Sequence, residues 1–141
     1  MKKLIFLLPL LFLLSCKDNS LFIKFYDDSF KGKVVKQISY KTDNYYLLDK
    51  VQRAFEKAGF KTSTNDAKYH IVLTSHYVIS CKNPVVHALG ADFNGFIRLS
   101  FFDKGKEVYR IQKDFKSKVT NSMIDKIVKR LIKDLKIKPA F

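Results

Sequence analysis

The chain has 141 residues, with 27 basic and 13 acidic side chains and a formal net charge of +14. Two cysteines are too few for a disulfide-rich scaffold, and five glycines with three prolines argue against long loops. Such a charge predicts partners rather than a fold, namely nucleic acid, an anionic membrane surface or a phosphorylated glycolipid.

The N-terminus reads as a cleaved export signal. Lys2 and Lys3 precede residues 4–14, an uninterrupted apolar run of eleven residues. A membrane-spanning helix needs about 20 residues, so this run is too short to span a bilayer. A basic start, a short apolar core and small residues after it are typical of a signal peptide. We therefore assign residues 1–15 to a signal that is removed.

The end of this signal, Leu13-Leu14-Ser15-Cys16, resembles the lipobox of bacterial lipoproteins. The resemblance implies a diacylglycerol thioether on Cys16, cleavage before it, and acylation, for example with palmitate, of the new amino terminus. Several acyl chains together hold a soluble domain on a membrane, since each buried methylene contributes about 0.8 kcal/mol. The alternative is an ordinary secreted protein with a cysteine near its cleavage site. We expect no cofactor besides these lipids.

Lys17 follows the predicted lipidation site. In enteric bacteria an aspartate there keeps lipoproteins at the inner membrane, so the resemblance implies an outer-membrane lipoprotein whose domain faces the periplasm. Export argues against nucleic acid as a partner. With Cys16 lipidated, Cys81 has no partner within the chain, and we interpret it as a small apolar residue at a strand end.

We assign residues 16–32 to the lipidated N-terminus and a tether, and residues 33–141 to one α+β domain. "KVVKQISY" predicts a first strand. A helix follows, capped by Thr42, Asp43 or Asn44 and ended by Gly59. Residues 69–80 alternate as a strand with one apolar face. "FIRLSFF" and "EVYRIQKDF" predict two further strands, joined by a tight turn at "DKGK" in which Gly105 takes positive φ.

A long amphipathic helix closes the chain. Asn121 or Ser122 is its predicted cap, Pro139 its predicted stop, and apolar residues recur at helical spacing between them. The opposite face carries a row of cations: Lys126, Lys129, Arg130, Lys133 and Lys136. The row is either the solvated side of an amphipathic helix or a surface for anions such as lipid phosphates. Lys126, Lys129, Arg130 and Lys133 are the candidate anion- and LPS-binding residues.

The predicted order is β-α-β-β-β-α. Each helix has one apolar stripe and the sheet one apolar face, which predicts a four-stranded, mostly antiparallel sheet with both helices packed on one face. Some aromatic and cationic strand residues must then face outwards on the other side. The candidates are Phe96, Arg98, Phe101, Phe102, Tyr109 and Arg110. Such a face is suited to a glycolipid or a protein partner.

The sequence shows no catalytic constellation. His70 and His76 share a strand face but lie six residues apart, roughly 20 Å along an extended strand, too far to share a metal. His87 and Cys81 have no zinc-like spacing, and there is no phosphate loop, nucleophile elbow or paired-acid motif. We therefore predict neither an enzyme nor a metal site.

The lipobox and the element order together resemble the LPS-assembly lipoprotein family, the small partner inside the outer-membrane barrel of LPS transport. The segments that carry the resemblance are "LLSC", "LLDKVQRAFEKAGF", "GADFNGFIRLSFFDKGKEVYR" and "MIDKIVKRLIKDL". It implies a β-barrel partner and contact with LPS. The same arrangement is also similar to the N-terminal domain of the Tol-system propeller protein and to lipoprotein activators of peptidoglycan synthases. The alternative function is therefore a regulator that docks on a synthase or another envelope complex.

Overall fold

The computed structural model describes residues 21–77, 95–116 and 118–141. Its central feature is one mixed β-sheet, and two α-helices pack on one face of this sheet. The main strands are β1 (Leu21–Phe25), β3 (Gln37–Thr42), β4 (Lys61–Thr62), β5 (Tyr69–Tyr77), β6 (Gly95–Asp103) and β7 (Lys106–Phe115). A separate parallel pair consists of β2 (Val34–Val35) and β8 (Lys138–Pro139). The helices are α1 (Tyr45–Lys57) and α2 (Asn121–Leu135).

The main sheet has six strands, in the order β1-β7-β6-β5-β3-β4. The α+β class is confirmed, but the predicted four-stranded sheet and its β-α-β-β-β-α order are wrong. Strand β3 runs parallel to β5 and β4, while β1, β7, β6 and β5 are joined by antiparallel pairs. The predicted first strand is divided, because Val34–Val35 pairs with the C-terminal β8 and only Gln37–Thr42 enters the main sheet.

Strand β1 lies in the stretch that the sequence assigned to the tether. Leu21–Phe25 instead pairs with β7 as an edge strand. Ile23 and Phe25 pack against the core, and the ring of Phe25 contacts that of Tyr109 edge-on at 5.0 Å between centroids. Leu21, Ile23 and Phe25 are all apolar, which fits a strand whose every second side chain points towards the core.

Helix α1 begins and ends as predicted. The side chain of Asn44 accepts a hydrogen bond from the Leu47 amide at 3.2 Å, and Gly59 takes φ +90° just beyond the helix. Helix α2 differs at both ends. Thr120, rather than Asn121 or Ser122, is its cap, and Lys136 ends it in the left-handed conformation three residues before Pro139.

The core lies between the two helices and one face of the sheet. The buried stripes of α1 and α2 belong to one apolar cluster with alternate residues of the strands, and the two helices also contact each other. Its largest members include Tyr109, Phe55, Phe101 and Phe115. At the β6–β7 hairpin, Lys104 and Gly105 both take positive φ, as a two-residue turn of matching twist requires. Both helices thus pack on one sheet face, and no helix among the described residues covers the other.

Candidate binding surfaces

The sheet face opposite the helices is the first candidate surface, and we call it the open face. Strand register places alternate residues of β1, β7, β6 and β5 there. Its members include Phe22, Lys24, His70, Val72, Thr74, His76, Phe96, Arg98, Ser100, Phe102, Arg110, Gln112 and Asp114. Most are half-buried by their neighbours, and Phe22 is 60% exposed. Rings and guanidinium groups therefore occupy the position that a third layer would cover in a three-layer fold.

Paired rings order one side of the open face. The imidazole of His70 stacks on the ring of Phe102, with 4.7 Å between centroids and 9° between planes. His76 lies tilted against Phe96 at 5.9 Å. Partial burial, with the nearby Lys41 charge as a weaker cause, lowers the pKa of His70 below its usual value. Burial thus favours the neutral form of the stacked imidazole, which forms part of an aromatic surface.

Two arginines on the open face are held in place by hydrogen bonds. Arg98 donates through two nitrogens to the side-chain oxygen of Gln112, at 2.9 and 2.7 Å, and also covers the ring of Phe96. Arg110 forms a bidentate pair with Glu107, at 2.9 and 2.8 Å, which raises the pKa of the Arg110 guanidinium. Because these groups are already oriented, a partner that packs against them would restrict few additional side-chain rotations.

The sequence left open which strand residues face outwards, and the structure separates them. Phe96, Arg98, Phe102 and Arg110 lie on the open face, whereas Phe101 and Tyr109 are fully buried in the core. A bulge near Phe101 and Phe102 changes the register there. Sequence reasoning missed the contribution of β1, and the only signal for it was the apolar, aromatic-rich composition of "LFIKF".

The exposed side of α2 is the second candidate surface. Lys126, Lys129 and Lys133 are exposed, and none of them has a charged partner among the described residues. Arg130 differs, because its guanidinium lies 2.9 Å from the Asp134 carboxylate, which raises the pKa of Arg130. Three of the four predicted anion-binding residues therefore form an open cationic row, while Arg130 is engaged within the helix.

The described residues contain no group of three His, Cys, Asp or Glu side chains placed to hold a metal. Cys16, Cys81 and His87 lie outside the described residues. Within the described ranges, neither helix is both long and apolar enough to cross a membrane.

Comparison with known proteins identifies no family. Neither a protein-family model nor a curated protein sequence matches the chain. Among solved structures, a dodecameric PelC variant from Paraburkholderia phytofirmans aligns with 8% identity and a TM-score of 0.43, over 83% of this chain and 98% of that one. A PDZ domain protein from Parabacteroides distasonis aligns with 9% identity and a TM-score of 0.48, over 79% of this chain. This chain spans only 34% of the latter protein, and neither likeness carries an inference about function.

Proposed function

We propose that this chain is a lipid-anchored, non-enzymatic binding protein of the bacterial cell envelope. Acyl chains on Cys16 hold it in the outer membrane, with its domain in the periplasm, and the open face docks on a protein partner. The observation that carries this proposal is the asymmetry of the sheet. Helices cover one face, and the other presents stacked rings and oriented guanidinium groups.

The chemistry of the open face supports a protein partner. Aromatic residues and arginine are enriched in protein interfaces, and they dominate the few positions that carry most of the binding energy. Phe96, Arg98 and Phe102 lie together on the central strand β6, whereas the lysine row lies on α2, on the other side of the sheet. The two surfaces thus suit two different partners, a protein for the open face and an anion for α2.

The partner that we propose is an outer-membrane β-barrel of LPS transport. Lys126, Lys129 and Lys133 would meet LPS phosphates, since each cation near an anionic lipid surface contributes about 1 kcal/mol. The barrel and the LPS contact both rest on the sequence resemblance. The open face and the lysine row are the structural features that are compatible with them.

The test is a mild-detergent pull-down of the tagged full chain from membranes, with mass spectrometry of the partners and of the peptide that contains Cys16. Two charge reversals provide a matched comparison. Arg98→Glu alters the open face, and Arg53→Glu alters an exposed arginine of α1 that pairs with Asp49. We expect an acylated peptide and a co-purified barrel with the wild type and with Arg53→Glu, and loss of the barrel with Arg98→Glu.

Each part of the proposal has its own contrary result. An unacylated Cys16 would contradict the anchor. A peptidoglycan synthase in place of the barrel would contradict the LPS role and support the regulator alternative, while retaining the docking face. Equal recovery of the partner with both charge reversals, in variants whose circular dichroism matches the wild type, would contradict docking through the open face.

A further inference from the structure

Exposed apolar side chains gather at one end of this domain. Of the eight large hydrophobic side chains that are exposed among the described residues, five belong to this set, which we call the aromatic end. Its members and their exposed fractions are Leu21 (38%), Phe22 (60%), Tyr45 (79%), Tyr46 (72%) and Tyr77 (48%). Four of the five are aromatic, and they come from three separate parts of the chain.

Strand pairing brings these parts together. Leu21 starts β1 beside Lys113 of β7, and the neighbouring positions across the sheet are Ile97 and then Ser75 of β5, two residues before Tyr77. The start of α1 is attached at the same level, because the Asp43 carboxylate accepts a hydrogen bond from the Ser75 amide at 3.3 Å. Four strand spacings separate β1 from β3, the strand that leads into α1, so this edge of the sheet is about 19 Å wide.

Cations accompany the aromatic end. Lys126 and Lys113 line a groove of about 290 Å³ whose apolar walls are Leu21, Met123 and Ile127. Lys50 lies over the ring of Tyr46 at 4.7 Å, and Lys118 is exposed just before α2.

Among the described residues near the aromatic end, three carboxylates have hydrogen-bond or ion-pair partners, namely Asp43, Asp49 and Asp114, which accepts from Gln112. Asp43 accepts from the Ser75 amide, and Asp49 pairs with Arg53 at 3.0 Å, while Asp125 is half-buried. Both helices also start here, so the positive ends of their dipoles add to the cationic character of this end.

The chain enters the domain at this same end. Leu21 is the fifth residue after Cys16, and five residues span at most about 18 Å in any conformation. A lipid on Cys16 would therefore keep the aromatic end close to the headgroups, whereas the opposite end of the strands would lie farther away. This covalent limit is what favours a bilayer over any other occupant of the surface.

We infer that the aromatic end rests in the headgroup region of the leaflet that holds the anchor, with an anionic lipid surface as its partner. Tyrosine and phenylalanine place an apolar ring in the interface, and lysines contact lipid phosphates. The strands then stand on the membrane, and the open face is turned sideways, towards a partner in the same membrane. This inference rests on the proposed anchor at Cys16.

The chain contains no tryptophan, so one introduced indole reports its own surroundings. The probes are Phe22→Trp and Tyr45→Trp at the aromatic end. The control is Phe141→Trp, an exposed ring at the other end, where the Ala140 amide bonds to the Val35 carbonyl just before β3. Each full-length lipoprotein is purified and reconstituted in vesicles of phosphatidylethanolamine and phosphatidylglycerol, with and without bromine in the upper acyl chains.

We expect bromolipid to quench both aromatic-end probes at least about twofold more than the Phe141→Trp control, because interfacial side chains reach about 5–10 Å into the headgroup and acyl boundary. Equal quenching of all three, or none, in a vesicle-bound acylated chain would overturn the inference while leaving the anchor intact. A blue shift without quenching would indicate that a second copy covers the surface, and would also overturn it.

Mass spectrometry of the Cys16 peptide from the same sample separates this test from that of the anchor. An unacylated chain that still binds the vesicles and shows selective quenching would support the membrane surface and contradict the anchor. An unacylated chain without vesicle binding would overturn both. Replacing Phe22, Tyr45 and Tyr46 with serine in the acylated chain provides a second check, since all three are exposed and the fold should persist. We expect this variant to be cleaved by added protease near Leu21 more rapidly than the wild type on vesicles, and equal rates would count against the inference.

Discussion

The hydroxyl of Tyr109 donates a 2.8 Å hydrogen bond to the carboxylate of Asp134, and this bond joins β7 to α2. Tyr109 is fully buried, and the same carboxylate receives the guanidinium of Arg130 at 2.9 Å. The bond fixes α2 against the sheet, so the orientation of the lysine row depends on a residue in the core. Arg130, which the sequence assigned to anion binding, takes part in this arrangement instead.

Removing that hydroxyl tests its contribution to stability. Tyr109→Phe keeps the ring and leaves Asp134 with Arg130 alone. We expect the free energy of unfolding to fall by about 1.5–3 kcal/mol, the range for a hydrogen bond to a charged group. Urea denaturation followed by circular dichroism measures it. Tyr45→Phe, on a side chain that is 79% exposed, is the matched control and should change little. If Tyr109→Phe lowers the free energy of unfolding as little as the control does, the hydrogen bond to Asp134 makes no net contribution to stability.

The raised pKa of Tyr109 predicts that the free energy of unfolding falls at alkaline pH. Burial, together with the Asp134 hydrogen bond, raises the pKa of Tyr109, and burial also raises the pKa of Tyr40. In the unfolded chain both ionise near pH 10, so stability is fully present below that pH and falls as the pH rises above it. We expect a loss of at most about 1.4 kcal/mol per pH unit for each group.

Lysines also lose their charge in this range, so the difference between wild type and Tyr109→Phe is the informative quantity. The urea concentration at the unfolding midpoint should be higher for the wild type than for Tyr109→Phe at pH 8. The difference between the two midpoints should shrink as the pH rises to 11. Parallel curves would contradict the raised pKa of Tyr109.

The two helix caps should differ in strength. Thr120 caps α2 through one bond to the Met123 amide, whereas Asn44 caps α1 and also donates to the Ser75 hydroxyl at 3.1 Å. We expect Thr120→Ala to cost about 1 kcal/mol and Asn44→Ala about 2 kcal/mol, since the latter loses a cap and a second hydrogen bond. Thermal unfolding of both variants compares them. Equal costs would show that the link to β5 adds no stability.

Reversing the lysine row tests the anion surface. The triple variant Lys126→Glu, Lys129→Glu and Lys133→Glu should weaken binding of purified LPS more than tenfold, because each cation contributes about 1 kcal/mol. The control reverses Lys36, Lys57 and Lys61, which are exposed elsewhere and change the net charge equally. Binding of the full chain is measured in detergent at two salt concentrations. A similar loss in both triples would indicate general attraction by net charge.

The sequence by itself predicted the elements whose signal is local. Helix α1, with Asn44 as one of three candidate caps and Gly59 at its end, was predicted from residues within a few positions of one another. The hairpin turn at "DKGK" was predicted in the same way, with positive φ at Gly105. The amphipathic stripe of α2 was predicted in the same way. The lipid anchor at Cys16 is also a prediction from a local motif, and it stays a prediction.

Only the tertiary structure decided which strands join the sheet and what each side chain meets. Strand β1 pairs with β7 across roughly ninety residues of sequence, and five mostly apolar residues are too few to predict such a pairing. Three further features also depend on tertiary contacts. Arg130 binds Asp134, and Phe96 and Phe102 lie on the opposite sheet face from Phe101 and Tyr109. Leu21, Tyr45 and Tyr77 lie together at one end of the domain. Helical periodicity repeats within one segment, whereas strand register and surface neighbours depend on segments that are far apart in sequence and meet only when the chain folds.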